Sequence, residues 1–216
     1  MKYFLAFAWI FASFAAYSQT KEKPLANIKG TVSDENGNPV SKATVFAISQ
    51  DVSLDSISPR STTTNEAGEF DFHGGFALGT YKLYSKKDAE GYPDRSDSFY
   101  AEPKFEAKKV ELTEDHPSAT ATVDLGGKAS VLAGRVIDAV TGAPLKAKLV
   151  FLDEDGNSHS VFVTGKYRTL LPAGKDVTLM VMVTSPDYDS TVPIPAFRLS
   201  SGQQMDLDIP VSKRGT

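Results

Sequence analysis

The 216-residue chain has no cysteine. That excludes disulfides, thiolate metal sites, a cysteine nucleophile and lipid attachment at a processed N-terminal cysteine. Histidine is scarce as well: His73, His116 and His159 are the only three. A catalytic zinc takes three protein ligands and leaves one position open. None of these histidines begins an H-x-x-E pattern, since they precede Gly-Gly-Phe, Pro-Ser-Ala and Ser-Val-Phe. They read as loop or surface side chains, and no metal ligand is assigned. There is no phosphate loop of the G-x-x-x-x-G-K type and no G-x-S-x-G elbow, so no catalytic residue and no cofactor is assigned either. Basic excess is lacking too. Lysine and arginine number 23 against 27 aspartates and glutamates, for a net charge of −4, and nucleic acid is not an expected partner. Helical periodicity is absent throughout.

Long apolar runs are also missing, with one exception at the N-terminus. Lys2 supplies a positive start, Tyr3 to Ala16 is almost unbroken apolar sequence, and Ala16-Tyr17-Ser18 offers small residues where a signal peptidase reads. Fourteen residues at about 1.5 Å each reach about 21 Å, short of a hydrocarbon core of about 30 Å. The pattern therefore predicts a secretory signal peptide over 1–18, cut between Ser18 and Gln19, followed by a polar leader over 19–27. No later stretch is long and apolar enough to span a membrane as a helix.

What the chain does have is a pattern that starts twice. Ile28-Lys29-Gly30-Thr31-Val32-Ser33-Asp34-Glu35-Asn36-Gly37-Asn38-Pro39-Val40 is a short alternating strand, an acidic turn with glycine, then proline and an aliphatic. Leu132 to Leu145 repeats that grammar with Gly134, Val136, Asp138, Gly142 and Pro144. In both, an alanine (Ala43 or Ala147) follows thirteen residues after the strand glycine and opens a second apolar run. A repeat of this length argues for two units of roughly 90 residues, each large enough for one core.

Period-two alternation marks the strands. In the first unit, Ile28 to Val32 and Gly79 to Tyr84 alternate, with Tyr81 and Leu83 inward. Ala43 to Ile48 reads as a central strand, and Phe70 and Phe72 point the same way. Ala119 to Leu125 closes the unit, while Phe99 to Leu112 holds one or two strands of unsettled register. In the second, Val131 to Asp138, Ala147 to Leu152, Ser158 to Thr164 and Gly165 to Leu171 precede Val177 to Val183, the most hydrophobic strand. Val192 to Leu199 is broken by proline and so an edge, and Met205 to Ile209 closes the unit. Gly126-Gly127-Lys128 is too short a linker for the units to roam. About seven short strands per repeat predict an all-β fold of two tandem seven-stranded antiparallel β-sandwiches, over 28–126 and 127–216.

These residues carry a resemblance. Gly30-x-Val32-x-Asp34, Gly37-x-Pro39-Val40, Ala43-x-Val45, Thr64-Asn65-x-x-Gly68-x-Phe70-x-Phe72, Gly79-x-Tyr81-x-Leu83 and Gly91-Tyr92 are similar to the carboxypeptidase regulatory-like domain. That is the transthyretin-like (prealbumin-like), Greek-key sandwich found beside zinc carboxypeptidases and in many exported bacterial proteins. Gly134-x-Val136-x-Asp138, Thr141-Gly142-x-Pro144-Leu145, Gly165-x-Tyr167, Leu171-Pro172-Ala173-Gly174 and Pro186-x-Tyr188 resemble it a second time, more divergently. The resemblance implies the accessory module without its enzyme: a non-catalytic binding or scaffold protein of the cell envelope, periplasmic, surface-bound or extracellular. Its partner would be an envelope or extracellular protein or a glycan.

Other readings were weighed on their residues. Asp153-x-Asp155-Gly156-Asn157 resembles half a calcium loop, but position twelve is Thr164 rather than a bidentate glutamate, and a hairpin turn is expected. Some related surface-protein sandwiches cross-link a strand lysine to a late asparagine. Lys29 has no such asparagine in Thr122-Val123-Asp124-Leu125, and Arg135 stands at the comparable second position. Carbohydrate binding is an alternative, because starch-binding-like domains share this sandwich and sugars stack on exposed aromatic faces. Trp9, the single tryptophan, lies in the signal peptide. Tyr81, Tyr92, Tyr167 and Tyr188 match core or end-plug positions, which leaves Tyr84 and Tyr100 as the tyrosines expected to be exposed. A third reading is an accessory subunit of an envelope peptidase. Expression with an export-competent host should yield a chain starting at Gln19 by N-terminal sequencing and intact mass, and retention of Met1 would refute the signal peptide.

Overall fold

The computed structural model describes residues 26–51, 60–188 and 192–215. The expected signal peptide, the Ser18/Gln19 cut and nearly all of the leader lie outside these residues. Among these residues fifteen strands follow in order. The first seven are β1 (Asn27–Ser33), β2 (Thr44–Ser49), β3 (Arg60–Thr63), β4 (Glu69–Asp71), β5 (Gly79–Lys86), β6 (Lys108–Leu112) and β7 (Ser118–Asp124). The rest are β8 (Ser130–Asp138), β9 (Lys146–Asp153), β10 (Ser158–Thr164), β11 (Lys166–Leu171), β12 (Asp176–Val183), β13 (Val192–Arg198), β14 (Gln204–Asp206) and β15 (Ile209–Val211). Among the described residues there is no α-helix, only 3₁₀ turns such as Asp88–Glu90 and Ser98–Tyr100.

Two sheets, β4-β1-β7 and β3-β2-β5-β6, face each other. Ile28, Val32 and Val123 from one meet Val45, Leu83 and Leu112 from the other, all buried. Phe70, Phe72, Phe76 and Tyr81 fill one end as a chain of edge-to-face rings with centroids 5.0 to 5.8 Å apart. The expected inward set, Phe70, Phe72, Tyr81 and Leu83, is thus found inside, and β2 is central. The later strands run β13-β12-β9-β10-β11-β8-β14, with β15 also on β8. That sheet folds over at Gly165, where β10 and β11 meet through the single pair Thr164–Lys166. Leu149, Phe151, Leu179 and Val181 on one layer then pack on Leu132, Val136, Leu171 and Ile209 on the other. β13 is an edge strand, as its prolines require.

The all-β sandwich class holds, but the pairing is mixed rather than antiparallel throughout. β7 lies parallel to β1, and β14 and β15 lie parallel to β8. The reason is connectivity: the chain reaches the closing strand from the facing sheet, so it enters in the same direction as the first strand. The later region has eight strands rather than seven, because its closing segment breaks between β14 and β15 at Leu207-Asp208. Phe99 to Leu112 holds one strand, β6, with Phe99 and Tyr100 in a 3₁₀ turn instead of a second strand.

The repeated sequence has a physical reason. A side chain at Gly30 would collide with the carbonyl oxygen of Ala121 on the closing strand, and one at Gly134 with the carbonyl oxygen of Leu207. Gly134 also sits at φ 152°, a conformation L-residues rarely adopt. The turns match as well. Asp34 Oδ1 accepts from the amides of Asn36 (2.9 Å) and Asn38 (2.8 Å), and Asp138 Oδ1 from Val140 (3.0 Å) and Thr141 (2.7 Å). Val32 N donates to Gly68 O at 2.9 Å, and Val136 N to Gly165 O at 2.8 Å. Even the plug tyrosines agree: Tyr92 donates to Glu35 at 2.7 Å and Tyr188 to Asp138 at 2.6 Å. Gly134→Ala should cost about 1–3 kcal/mol through the overpacked crossing on top of the strained backbone it shares with Gly142. Gly142→Ala, with open space around it, should cost only the backbone term of about 1–2 kcal/mol. Urea midpoints compare the two, and an equal or smaller loss at Gly134 would contradict the close approach.

Candidate functional site

The segment between β5 and β6 builds an arrangement that joins the two cores. Gly91 N donates to Asp88 O at 3.1 Å, closing a 3₁₀ turn, and Gly91 O accepts from Ala129 N at 2.8 Å just before β8. Asp94 Oδ1 then holds the amide of Ser96 at 2.9 Å, and Asp97 Oδ1 holds that of Phe99 at 3.0 Å. The second of these starts the Ser98–Tyr100 turn and aims two rings away from the first core. Phe99, 0% exposed, enters the core of the β8–β15 region. It meets Tyr100 edge-to-face at 5.1 Å and stacks on His159 of β10 at 5.5 Å and 22°. Tyr100, 8% exposed, donates its hydroxyl to Leu170 O at 3.1 Å. Burial first, and the neighbouring Asp97 and Asp88 charges second, push its pKa above the ordinary tyrosine value.

Arg95 fastens the same seam. Its side chain is 2% exposed. Nε donates to Leu125 O (3.1 Å), Nη1 to Tyr100 O (3.0 Å) and Nη2 to Gly127 O, while Nη2 also pairs with Glu102 at 2.8 Å. Burial lowers its pKa and Glu102 opposes that, so the guanidinium stays charged. The planar fork thus ties three carbonyls of the linker and loop to one carboxylate. Beside it a cleft of about 320 Å³ opens between the Pro93–Pro103 segment and the Asp155 and Lys175 turns.

The two tyrosines expected to be exposed behave differently. Tyr100 is buried, a correction: the Asp97 cap turns it inward, so it offers no flat face open to solvent and only borders the cleft beside Arg95. Tyr84 is half-buried on β5 and faces Phe105 in a stacked arrangement at 6.4 Å and 29°, lining a hollow of about 440 Å³ with Lys82 and Lys109. The structure does not bring the two rings onto one surface. Tyr81, Tyr92, Tyr167 and Tyr188 are all buried, in the core or at its ends.

The histidines are dispersed. His73 is exposed after β4 at φ 56°, 3.6 Å from the Asp71 carboxylate. His116 is exposed before β7. His159 is not a loop residue but a strand residue, half-buried because Phe99 covers its ring. Among the described residues no three histidine, aspartate or glutamate side chains group as a metal site. Asp153 is the pivot of the expected hairpin: Oδ1 accepts from Asp155 N (3.1 Å) and Asn157 N (2.8 Å), and Oδ2 pairs with Lys175 at 3.0 Å. Burial works to raise its pKa, but the bonds from Lys175 and Asn157 outweigh it and hold it below the usual value. Lys29 stands opposite Asp71 on β4 and Thr120 on β7, whereas Arg135 at the comparable position clasps Asp208 at 2.5 Å.

The seam escaped the sequence reading. Its one signal was Phe99-Tyr100, two adjacent aromatics inside a stretch with neither strand nor helix period. By fold, the molecule is an all-β sandwich protein. Residues 27–126 match the carboxypeptidase regulatory-like domain. No curated protein is significantly similar in sequence. Solved structures that overlap it include the shaft pilin SpaA from Lactobacillus rhamnosus GG, at 13% identity over 89% of this chain and 99% of that one, with a TM-score of 0.39. A Streptococcal ancillary pilin follows at 17% over 91% and 64%, TM-score 0.37. The Bacillus anthracis TIE protein is at 17% over 88% and 34%, TM-score 0.34. The chain spans about a third of the TIE protein and under two thirds of the ancillary pilin. Scores this low imply no common function.

Phe99→Ala should destabilise the β8–β15 region by about 3–5 kcal/mol, the cost of emptying a fully buried phenylalanine site. Hydrogen exchange resolved by region would show the loss of protection in β9–β12. Loss confined to β1–β7 would contradict the seam.

Proposed function

We propose that the chain is an exported, non-catalytic binding or scaffold protein of the bacterial cell envelope. In this reading a signal peptide (1–18) and a leader (19–27) precede two regulatory-like β-sandwich modules, 28–126 and 127–216. The observation that supports it is the seam. Phe99 and Tyr100 leave one core for the other, and Arg95 ties down the linker carbonyls of Leu125 and Gly127. A spacer is useful when it holds what it carries at a fixed separation, and a buried aromatic joint supplies that stiffness where a free linker does not. Partners would be met at the turns of the module ends, or along a sheet edge, because a rigid sandwich offers those surfaces for contact.

The carbohydrate-binding alternative draws less support. It needs flat aromatic faces open to solvent, and of its two candidates Tyr100 is inside the seam while Tyr84 lies against Phe105. The accessory-subunit alternative, in which the chain serves an envelope peptidase, rests on the family match of residues 27–126 alone.

Since the chain lacks cysteine, spin labels can be placed at will. Labels at Glu66→Cys, in the β3–β4 turn, and Val140→Cys, in the β8–β9 turn, should give one narrow distance distribution by pulsed electron resonance. Arg95→Ala should broaden it. A broad distribution in the otherwise unaltered chain would remove the rigid-spacer reading.

A further inference from the structure

On the outer face of the sheet β3-β2-β5-β6, Lys82 of β5 stands directly opposite Lys109 of β6. Like charges set opposite one another across a ladder destabilise a sheet. Among the described residues no carboxylate pairs with either lysine. Glu106 lines the same hollow and Glu111 lies two residues further along β6, yet neither makes an ion pair there. Glu102 is already taken by Arg95 at 2.8 Å. Two ammonium groups thus lack a counter-charge beside a hollow of about 440 Å³. That volume lies within the range of about 300–1,000 Å³ usual for small-ligand sites.

One wall of the hollow is aromatic. Tyr84 and Phe105 stack at 6.4 Å and 29°, and the Arg95 guanidinium lies over the Phe105 ring at 5.3 Å. That cation holds Phe105 from the side of the seam. Both rings are half-buried and both line the hollow. The Tyr84 hydroxyl has no hydrogen-bond partner among the described residues. Burial first, and the Asp94 charge second, raise its pKa, so it keeps its proton and can donate.

We propose that this hollow binds a uronic acid residue of an acidic polysaccharide, with the carboxylate between Lys82 and Lys109 and the sugar ring against Tyr84 and Phe105. This rests on the reading of the chain as a binding protein and names what it binds. Charge selects an anion, because an anion between two opposed ammonium groups relieves their repulsion and accepts a charge-assisted bond from each. Position selects a sugar acid over an acidic peptide. β5 is laddered on both sides, to β2 and to β6, so the floor of the hollow offers no free backbone group for a peptide to extend. A pyranose needs none: its C–H face suits an aromatic wall, and its hydroxyls accept from Tyr84. Tyr100 plays no part, so this is not the two-tyrosine platform set aside above. The site is shallow and its charges are partly solvated, so Kd falls at about 0.1–1 mM.

Isothermal titration of the processed chain with trigalacturonate should show one site, weakened by added salt. Maltotriose, which carries no charge, should not bind. Lys82→Gln combined with Lys109→Gln should raise Kd at least about tenfold. Lys82→Arg combined with Lys109→Arg keeps both charges and should hold Kd within about threefold of the original. Both side chains point away from the core, and relief of the opposed charges should leave the melting temperature of the glutamine pair unchanged or higher. Absence of trigalacturonate binding overturns the proposal. So does binding indifferent to the glutamine pair, equal binding of maltotriose, or tighter binding of poly-L-glutamate, which would make the ligand a peptide. The spin-label distance tests the rigid spacer by itself, so failure of one reading is told apart from failure of the other.

Discussion

A closing strand that runs parallel to the first must bring backbone against backbone, and that approach governs both ends of this chain. At Gly30 the carbonyl of Ala121 occupies the space a side chain would need, and at Gly134 the carbonyl of Leu207 does. The crossing fixes the register of β1 against β7 and interrupts β14 and β15 opposite Gly134. Once these strands are locked, the first turn is held in place. Its aspartate gathers amides, and a carboxylate there receives the hydroxyl of a distant tyrosine, Tyr92 to Glu35 or Tyr188 to Asp138. The plug tyrosines therefore do more than fill space. They tie the far loop of each region to its first turn.

The seam is the second consequence of folding without disulfides. A chain with no covalent staple relies on buried area, and a sandwich of this size has little to spare. The β8–β15 region folds over at one corner, Gly165, and is left open between β10 and β11 further along. Phe99 and Tyr100 fill that opening from outside the region's own sequence. Burying a phenylalanine contributes about 1.5–3 kcal/mol, a large share of the net stability of a small domain. Packing therefore reaches across the boundary expected between residues 126 and 127. Phe99 and Tyr100 belong to the first unit by order and to the second core by contact.

Strand order and inward faces were legible because alternation is a local signal. Phe70, Phe72, Tyr81 and Leu83 each announce their side by their neighbours two residues away. The paired glycines were visible as a repeat, although their meaning required a partner ninety residues later in the one case and seventy in the other. Parallel closure was not legible, because period two is identical in parallel and antiparallel strands. Tyr100 was misjudged for a similar reason. Its fate is set by the Asp97 cap and by a pocket that only the folded β10–β11 corner creates, and neither is written in the spacing of its neighbours. His159 likewise looked like a residue after a turn until Phe99 supplied a surface for its ring.

The same corner explains why β10 is laddered along its length on one side only. β10 has to diverge from β11 so that Phe99 can reach the core, and that divergence strips β10 of its ladder beyond Thr164. A proline in β10 would remove donors from the ladder to β9, on which the layer β13-β12-β9-β10 is built. Inward-facing charge is excluded by Leu149 and Phe151 behind it. The outward positions, Ser158, Ser160, Phe162 and Thr164, are under no such constraint from packing. They follow the alternation that the sheet imposes, and Phe162 among them is met by the Lys148 ammonium from the neighbouring strand rather than by the core.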